Sequence, residues 1–286
     1  MRTIIITGAN SGLGFETAKK IAKDKNYKVI LACRNLEKAN IAKEEIIKVS
    51  GNENIEVLEL DTSSLESVRN FISEFKKLDT KVYGLINNAG ISPMGHDGLS
   101  VDGVEIVMAT NYLGHFLLTN LLLPYMEDDG KILNVTSDMH NPPRGIEWKD
   151  PNELFHPIGN DRRKYSYSKL CNIYFTYELD EILRNNNSHI LVNAFNPGMM
   201  NTNFSGGHNS KARTRMVKLT MPERLGDLDK SSSALTELTI NDTYKDTGKY
   251  YDRSTNYINS SELSYNVENR KDLWNKSLSI TGLEKG

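Results

Sequence analysis

Tyr165 and Lys169 stand four residues apart, one turn along a helix predicted over 165–185, so their side chains share a face. A tyrosine hydroxyl with an ordinary pKa of about 10 is a poor base at neutral pH. A nearby ammonium favours the phenolate, which makes proton exchange with an alcohol or carbonyl oxygen feasible. Tyr167 competes for the role, but four residues beyond it stands Cys171, which supplies no cation. The same spacing arises by chance on many helices, so the pair needs support from elsewhere in the chain. Ser137 provides some, because it ends a predicted strand over 131–136 in Asn134-Val135-Thr136-Ser137. Ligands gather at the carboxyl ends of such strands, and the hydroxyl can donate to an oxygen as charge develops there. Thr136 and Ser166 read better as packing and capping groups.

A second constellation lies at the other end of the chain. Thr7-Gly8-Ala9-Asn10-Ser11-Gly12-Leu13-Gly14 follows the first predicted strand and opens a helix. Glycines allow the tight turn and the close approach of backbone to a pyrophosphate, which the helix N-terminus attracts. The plainer alternative is an ordinary strand-to-helix turn. At the end of the second strand the chain reads Leu31-Ala32-Cys33-Arg34-Asn35, with no acid before Glu37. Dinucleotide folds selective for NAD place an acid there to bind the ribose 2′-hydroxyl. Arg34 instead offers a planar fork suited to a 2′-phosphate, with Asn10 and Ser11 as neutral donors. The reading is therefore NADP(H), with NAD(H) less favoured; a solvated arginine at a helix start is the plain alternative.

The elements that must carry these groups alternate regularly. Apolar runs over 3–7, 27–32, 55–59, 82–87, 131–136 and 190–195 read as strands, with helices over 13–25, 36–49, 65–78, 111–126 and 165–185. Thr62-Ser63-Ser64 supplies hydroxyl caps ahead of Leu65, with Glu66 in the first turn. Strand and helix in succession, with strands apolar throughout, predict α/β architecture: a Rossmann-type, doubly wound parallel sheet with helices on both faces. No repeat or linker divides the chain, so 1–286 reads as a single NAD(P)-binding domain. Two segments break the rhythm, near 138–163 and 201–227, and read as substrate loops. Met139, His140, Trp148 and Phe155 in the first, and Met199, Met200, Phe204, Met216 and Met221 in the second, are candidate walls or packing residues. Lys211, Arg213, Arg215, Lys218 and Arg224 read as a solvated basic face.

A net charge of −2 gives no reason to expect nucleic acid as a partner. Cys33 and Cys171 lack metal-ligand spacing, so no metal is expected and both read as buried, reduced thiols. The first strand starts at once, leaving no room for a leader, and apolar stretches such as 117–123 fall short of the ~20 residues of a spanning helix. A soluble, cytoplasmic protein without a membrane anchor is expected.

The spacing Thr-Gly-x-x-x-Gly-x-Gly resembles the short-chain dehydrogenase/reductase family rather than the commoner dinucleotide fingerprint. Asn87-Asn88-Ala89-Gly90, Asn111, Ser137, Tyr165-x-x-x-Lys169 and Pro197-Gly198 follow in the family's order over nearly the whole chain. The resemblance implies a nicotinamide cofactor and a catalytic set of Asn111, Ser137, Tyr165 and Lys169, with Asn111 supporting a water relay behind the lysine or merely stabilising a helix kink. It implies that Gly8, Asn10, Ser11, Gly12, Leu13 and Gly14 line the pyrophosphate. Asp61 and Thr62 lie near the adenine, Asn88, Ala89 and Gly90 along its ribose, and Lys169 on the nicotinamide ribose. Pro197, Gly198 and Thr202 lie beside the nicotinamide; where the family often has His before Pro-Gly, this chain has Asn196.

Ala32-Cys33-Arg34-Asn35, Asn111-Tyr112-Leu113-Gly114-His115-Phe116 and Ser168-Lys169-Leu170-Cys171-Asn172 look like the retinol dehydrogenase branch and its relative, protochlorophyllide reductase. The expected reaction is interconversion of a small-molecule carbonyl and alcohol. Two alternatives stand: NADPH-dependent reduction of a carbon–carbon double bond, or a non-catalytic regulator that senses NADP(H). Family members commonly form homodimers or homotetramers through the helices read here over 111–126 and 165–185.

Overall fold

A computed structural model describes residues 1–156, 163–199 and 221–284. Six strands, β1 (Arg2–Thr7), β2 (Tyr27–Cys33), β3 (Ile55–Glu59), β4 (Val82–Asn87), β5 (Met126–Val135) and β6 (Leu191–Asn196), alternate with helices as the periodicity predicts. β7 (Tyr250–Asp252) and β8 (Tyr257–Ile258) complete one sheet in the order β3-β2-β1-β4-β5-β6-β7-β8. All neighbours are parallel except β7 and β8. The six strands read from the sequence are parallel as expected; the added edge strand β8 is antiparallel because the return from Asp252 to Tyr257 is too short for a crossover.

α1 (Gly12–Ile21), α2 (Leu36–Ser50) and α8 (Leu228–Ile240) cover one face of the sheet. α3 (Leu65–Lys76), α5 (Gly114–Leu122), α7 (Lys164–Asn185) and α9 (Val267–Thr281) cover the other. Local chemistry sets the ends. Asn35 accepts from the Lys38 amide at 2.8 Å to start α2, and Gly51 ends it at φ 65°. Ser64 is the hydroxyl that caps α3, accepting from Ser67 at 3.2 Å. The helix expected from 111 begins earlier, with the short α4 (Ile106–Met108), because Glu105 caps the Met108 amide at 2.9 Å. It then runs through a π-helical turn, Ala109–Leu113, into α5.

The helical run Ile106–Tyr125 is 20 residues long and apolar enough to cross a membrane, which the sequence reading did not anticipate. It is a core element here, with 78% of its most apolar stretch buried inside the protein. α7 is likewise enclosed, every residue from Ser166 to Leu179 being buried. Part of the cover is α9. Trp274 packs edge-on against Phe116 at 4.9 Å and stacks on Phe175 at 6.0 Å, and Tyr112 Oη meets Ser277 Oγ at 2.8 Å. Part of the helix pair expected to mediate subunit contacts thus packs against α9 of the same chain.

The irregular segment 138–163 contains α6 (Pro151–Phe155) in its described part. Phe155 stacks on Tyr112 at 6.1 Å and Trp148 meets Tyr174 edge-on at 4.9 Å, so both serve packing. Met200, Phe204, Met216 and the basic residues Lys211, Arg213, Arg215 and Lys218 lie outside the described residues. Cys33 and Cys171 are buried free thiols.

Leu273 is 1% exposed between α9 and the core. Leu273→Ala should lose about 3 kcal/mol of stability in urea unfolding; a loss below about 1 kcal/mol would show that α9 is only loosely docked.

Candidate active site

The strand order reverses between β1 and β4, and their carboxyl ends open the crevice where ligands of such sheets bind. Thr7 ends β1 and sends its side chain to β4. Its Oγ1 accepts the amides of Asn88 and Ala89, each at 2.8 Å, while Asn88 Nδ2 donates back to the Thr7 carbonyl at 2.8 Å. The turn that follows leaves no room for a side chain at two of its glycines. A Cβ on Gly14 would lie 2.6 Å from Asn88 Nδ2 and 2.9 Å from the Gly8 carbonyl, and Gly8 itself has φ 65°. Ser11 occupies the N-cap of α1 without making a side-chain cap. The first-turn amides therefore lack the usual protein acceptor, which suits a phosphate group.

Beyond β2, the Arg34 side chain is 68% exposed and its Nη1 lies 3.7 Å from Asp61 Oδ2. Asp61 also accepts from the Ser63 amide at 2.9 Å and hydroxyl at 2.6 Å, which shapes the turn after β3. Thr62 is buried, and its carbonyl is so close to α5 that a Cβ on Gly114 would sit 1.9 Å from it.

Lys169 is 3% exposed at the back of the crevice. Its Nζ donates to the Val135 carbonyl at 3.0 Å and lies 5.6 Å from the centre of the Tyr165 ring. Burial lowers its pKa to about 8. Tyr167, the competing tyrosine, is buried in the core. Ser137 Oγ donates to Asp138 Oδ1 at 3.2 Å and accepts the Met139 amide at 3.1 Å. His140 fixes this corner by bonding the Ser137 carbonyl at 2.8 Å and accepting the Ser261 amide at 3.0 Å.

Asn111 is fully buried in the π-turn, a feature frequent at functional sites. Its side chain clasps Ile91, accepting the amide at 2.8 Å and donating to the carbonyl at 3.1 Å. Its Nδ2 also reaches Ser168 Oγ at 3.1 Å, and that hydroxyl donates to the Tyr165 carbonyl at 2.8 Å. Asn196 stands where the family often has His. It accepts the Gly198 amide at 3.0 Å and donates to Asp252 at 2.7 Å, holding the turn after β6. A Cβ on Gly198 would meet Gly226 at 2.7 Å, and Ser231 Oγ donates to the Pro197 carbonyl at 2.9 Å. Thr202 lies outside the described residues. The structure thus brings Asn111, Tyr165 and Lys169 together, with Ser137 at the end of β5 and the glycine turn across the crevice.

Sequence reasoning missed a buried amide ladder beneath this site. Asn87 Nδ2 donates to Thr119 at 2.9 Å and to Asn134 at 2.8 Å, and Asn134 donates to Thr176 at 3.0 Å. The available signal was an amide at or next to the last residue of two strands, Asn87 in β4 and Asn134 in β5. His115 was also passed over. It is 2% exposed, with Nε2 at 2.9 Å from Thr7 Oγ1 and Nδ1 at 3.2 Å from the Asn111 carbonyl. Burial, aided by the nearby Lys169 charge, depresses its pKa to about 4.

Residues 2–145 match the family model described as short chain dehydrogenase. The chain belongs to the short-chain dehydrogenase family. It is 32% identical over 291 residues to Short-chain dehydrogenase TIC 32 A, chloroplastic, of Brassica napus, covering 97% of this chain and 88% of that protein. It is 33% identical to Retinol dehydrogenase 13 of Mus musculus, covering 99% and 84%. These relatives place it in the retinol dehydrogenase-like branch. Among solved structures, an uncharacterised protein of Mycobacterium paratuberculosis superposes with TM-score 0.74 at 31% identity, covering 99% and 94% of the two chains. The short-chain dehydrogenase resemblance read from the motifs therefore holds.

The neutral His115 has a consequence for acid stability. The unfolded imidazole takes up a proton near pH 6.5, whereas the folded one resists until about 4. Stability from this group is therefore full above about pH 6.5 and falls toward pH 4, by roughly 3 kcal/mol. Urea unfolding at pH 7 and pH 4.5 should show a smaller acid loss in His115→Gln than in the wild type. Equal losses would mean that the imidazole is not held neutral.

Proposed function

We propose that the protein is an NADP(H)-dependent short-chain oxidoreductase, acting as one domain over 1–286, that interconverts a carbonyl and an alcohol with Tyr165 as proton donor and acceptor. The observation that carries this reading is the Lys169 ammonium, buried without a carboxylate partner among the described residues and 5.6 Å from the Tyr165 ring on one helix. A cation so placed stabilises a phenolate and lets Tyr165 exchange its proton with a substrate oxygen near neutral pH. One of its three N–H donors meets Val135, and ribose hydroxyls would supply acceptors for the others. Ser137 would turn its hydroxyl from Asp138 to the substrate oxygen as charge develops there. The Asn111 carbonyl would hold a relay water behind Lys169.

The residues around the crevice fit a dinucleotide. The close backbone approach at Gly8 and Gly14 and the uncapped α1 N-terminus suit its pyrophosphate, with Asn10, Ser11, Gly12 and Leu13 along it. Asp61, Thr62, Asn88, Ala89 and Gly90 would flank the adenosine, and Pro197, Gly198 and Thr202 the nicotinamide. When bound, the nicotinamide gives or takes the hydride. The exposed Arg34 and the absence of an acid at the end of β2 favour the 2′-phosphate of NADP over NAD. The alcohol class agrees with the retinol dehydrogenase named among the relatives. A cytoplasmic setting without a membrane anchor completes the reading, since the apolar run Ile106–Tyr125 lies mostly inside the core.

NADPH oxidation should be screened against aldehydes, ketones, quinones and enones, with product analysis; a saturated carbon–carbon bond in place of an alcohol would redirect the assignment. Tyr165→Phe should lower turnover by about 10²–10⁴-fold while NADPH binding persists. Unchanged turnover in that variant would sink the role of Tyr165. Arg34→Asp should weaken NADPH binding about tenfold or more and improve relative use of NADH; equal NADPH affinity would remove Arg34 from cofactor selection.

A further inference from the structure

We propose that His115 is a positioning residue that locks the cofactor-binding turn and the Asn111 carbonyl into one geometry. The proposal rests on the oxidoreductase reading above. Counting donors fixes the direction of each bond. Thr7 Oγ1 accepts the Asn88 and Ala89 amides at 2.8 Å each, which occupies both lone pairs of the hydroxyl. Its proton is left for His115 Nε2 at 2.9 Å, the Ile86 carbonyl being more distant at 3.5 Å. Nε2 therefore accepts, Nδ1 carries the hydrogen, and Nδ1–H donates to the Asn111 carbonyl at 3.2 Å. Protonation would aim an N–H at a hydroxyl with no lone pair to receive it, consistent with an imidazole held neutral in this site.

The chain of bonds runs from the end of β4, through the end of β1, to the π-turn. Both ends matter to the proposed reaction: Thr7 closes the strands that carry the glycine turn, and the Asn111 carbonyl is the relay acceptor. A π-turn takes carbonyls off the regular four-residue ladder, so a side-chain donor one turn on holds what the backbone alone leaves less constrained. Gly114 makes the reach possible, because any Cβ there would strike the Thr62 carbonyl at 1.9 Å and push the helix away. An imidazole alone presents an acceptor to Thr7 and a donor to Asn111 from one rigid ring.

Two variants separate the two ends. His115→Asn places an amide near the Nδ1 position, where it can donate to Asn111 but falls short of Thr7. His115→Gln reaches the Nε2 position and meets Thr7 but leaves the Asn111 carbonyl without its donor. With the full-length protein and NADPH as probe, fluorescence titration should show a Kd raised about tenfold in His115→Asn, with kcat retained. His115→Gln should keep the NADPH Kd and lower kcat about tenfold, with KM for the carbonyl substrate unchanged. If both folded variants match the wild type in Kd and kcat, the proposal fails. It also fails if Kd rises and kcat falls together in both variants in step with a lowered Tm, which is what a merely structural histidine would produce. Should the wild type bind NADPH yet turn over no substrate, the oxidoreductase reading falls and the Kd of His115→Asn still decides the coupling. A wild type that binds no NADPH overturns both.

Discussion

An ammonium buried without a counter-ion among the described residues is the constraint around which this structure is arranged. Lys169 is almost fully enclosed, yet no described carboxylate compensates it and burial lowers its pKa. Holding such a group in place requires fixed dipoles, because an isolated buried charge otherwise costs several kcal/mol. The dipole at hand is the carbonyl of Val135, which also accepts Asn172 Nδ2 at 3.3 Å. Thr136, the next residue along, donates to the carbonyl of Lys169 itself at 2.8 Å. The end of β5 and the second turn of α7 are thus bonded in both directions, and Tyr165 inherits its position one turn earlier.

That arrangement explains why α7 is enclosed on its outer side. A helix carrying Ser168, Lys169, Asn172 and Thr176 has no simple apolar stripe, and these polar residues bond within the protein. Thr176 donates to the Asn172 carbonyl at 2.8 Å and accepts from Asn134, extending the amide ladder from β4 through β5 into the helix. Such networks add little net stability but make one register far better than its neighbours. α9 then completes the cover with Leu273 and Trp274, keeping water from the outer side of the same helix.

Most of the sheet and much of the site were legible in the sequence because both rest on local signals. Continuous apolar runs marked β1 to β6, and the hydroxyl cluster before Leu65 marked a helix start that Ser64 indeed caps. Tyr165, Lys169 and the glycine turn were legible because their spacing is itself the chemistry. Less legible was everything that depends on partners distant in sequence. α8 begins with Leu228-Asp229-Lys230-Ser231-Ser232-Ser233 and shows little apolar periodicity, while α9 carries polar residues through most of its first half. β8 is two exposed residues whose strand character comes only from pairing with β7. His115 sits in an apolar helix, where a buried, satisfied histidine and a positioning one look alike until Thr7 is brought against it.

The glycines show the same division from the other side. Gly8 and Gly14 are readable as a motif because a phosphate needs that backbone approach. Gly114 and Gly198 admit no side chain for reasons internal to the protein, since Thr62 and Gly226 lie where a Cβ would stand. Yet those contacts bear on the site as directly as the motif does. Gly114 sets the depth at which α5 lies against the loop after β3, and hence whether the His115 ring reaches β1. Gly198 sets how closely the turn after β6 meets the start of α8. Precision at the crevice therefore comes from close backbone packing as much as from the side chains that face the reaction, and a larger residue at either glycine would act on chemistry it never touches.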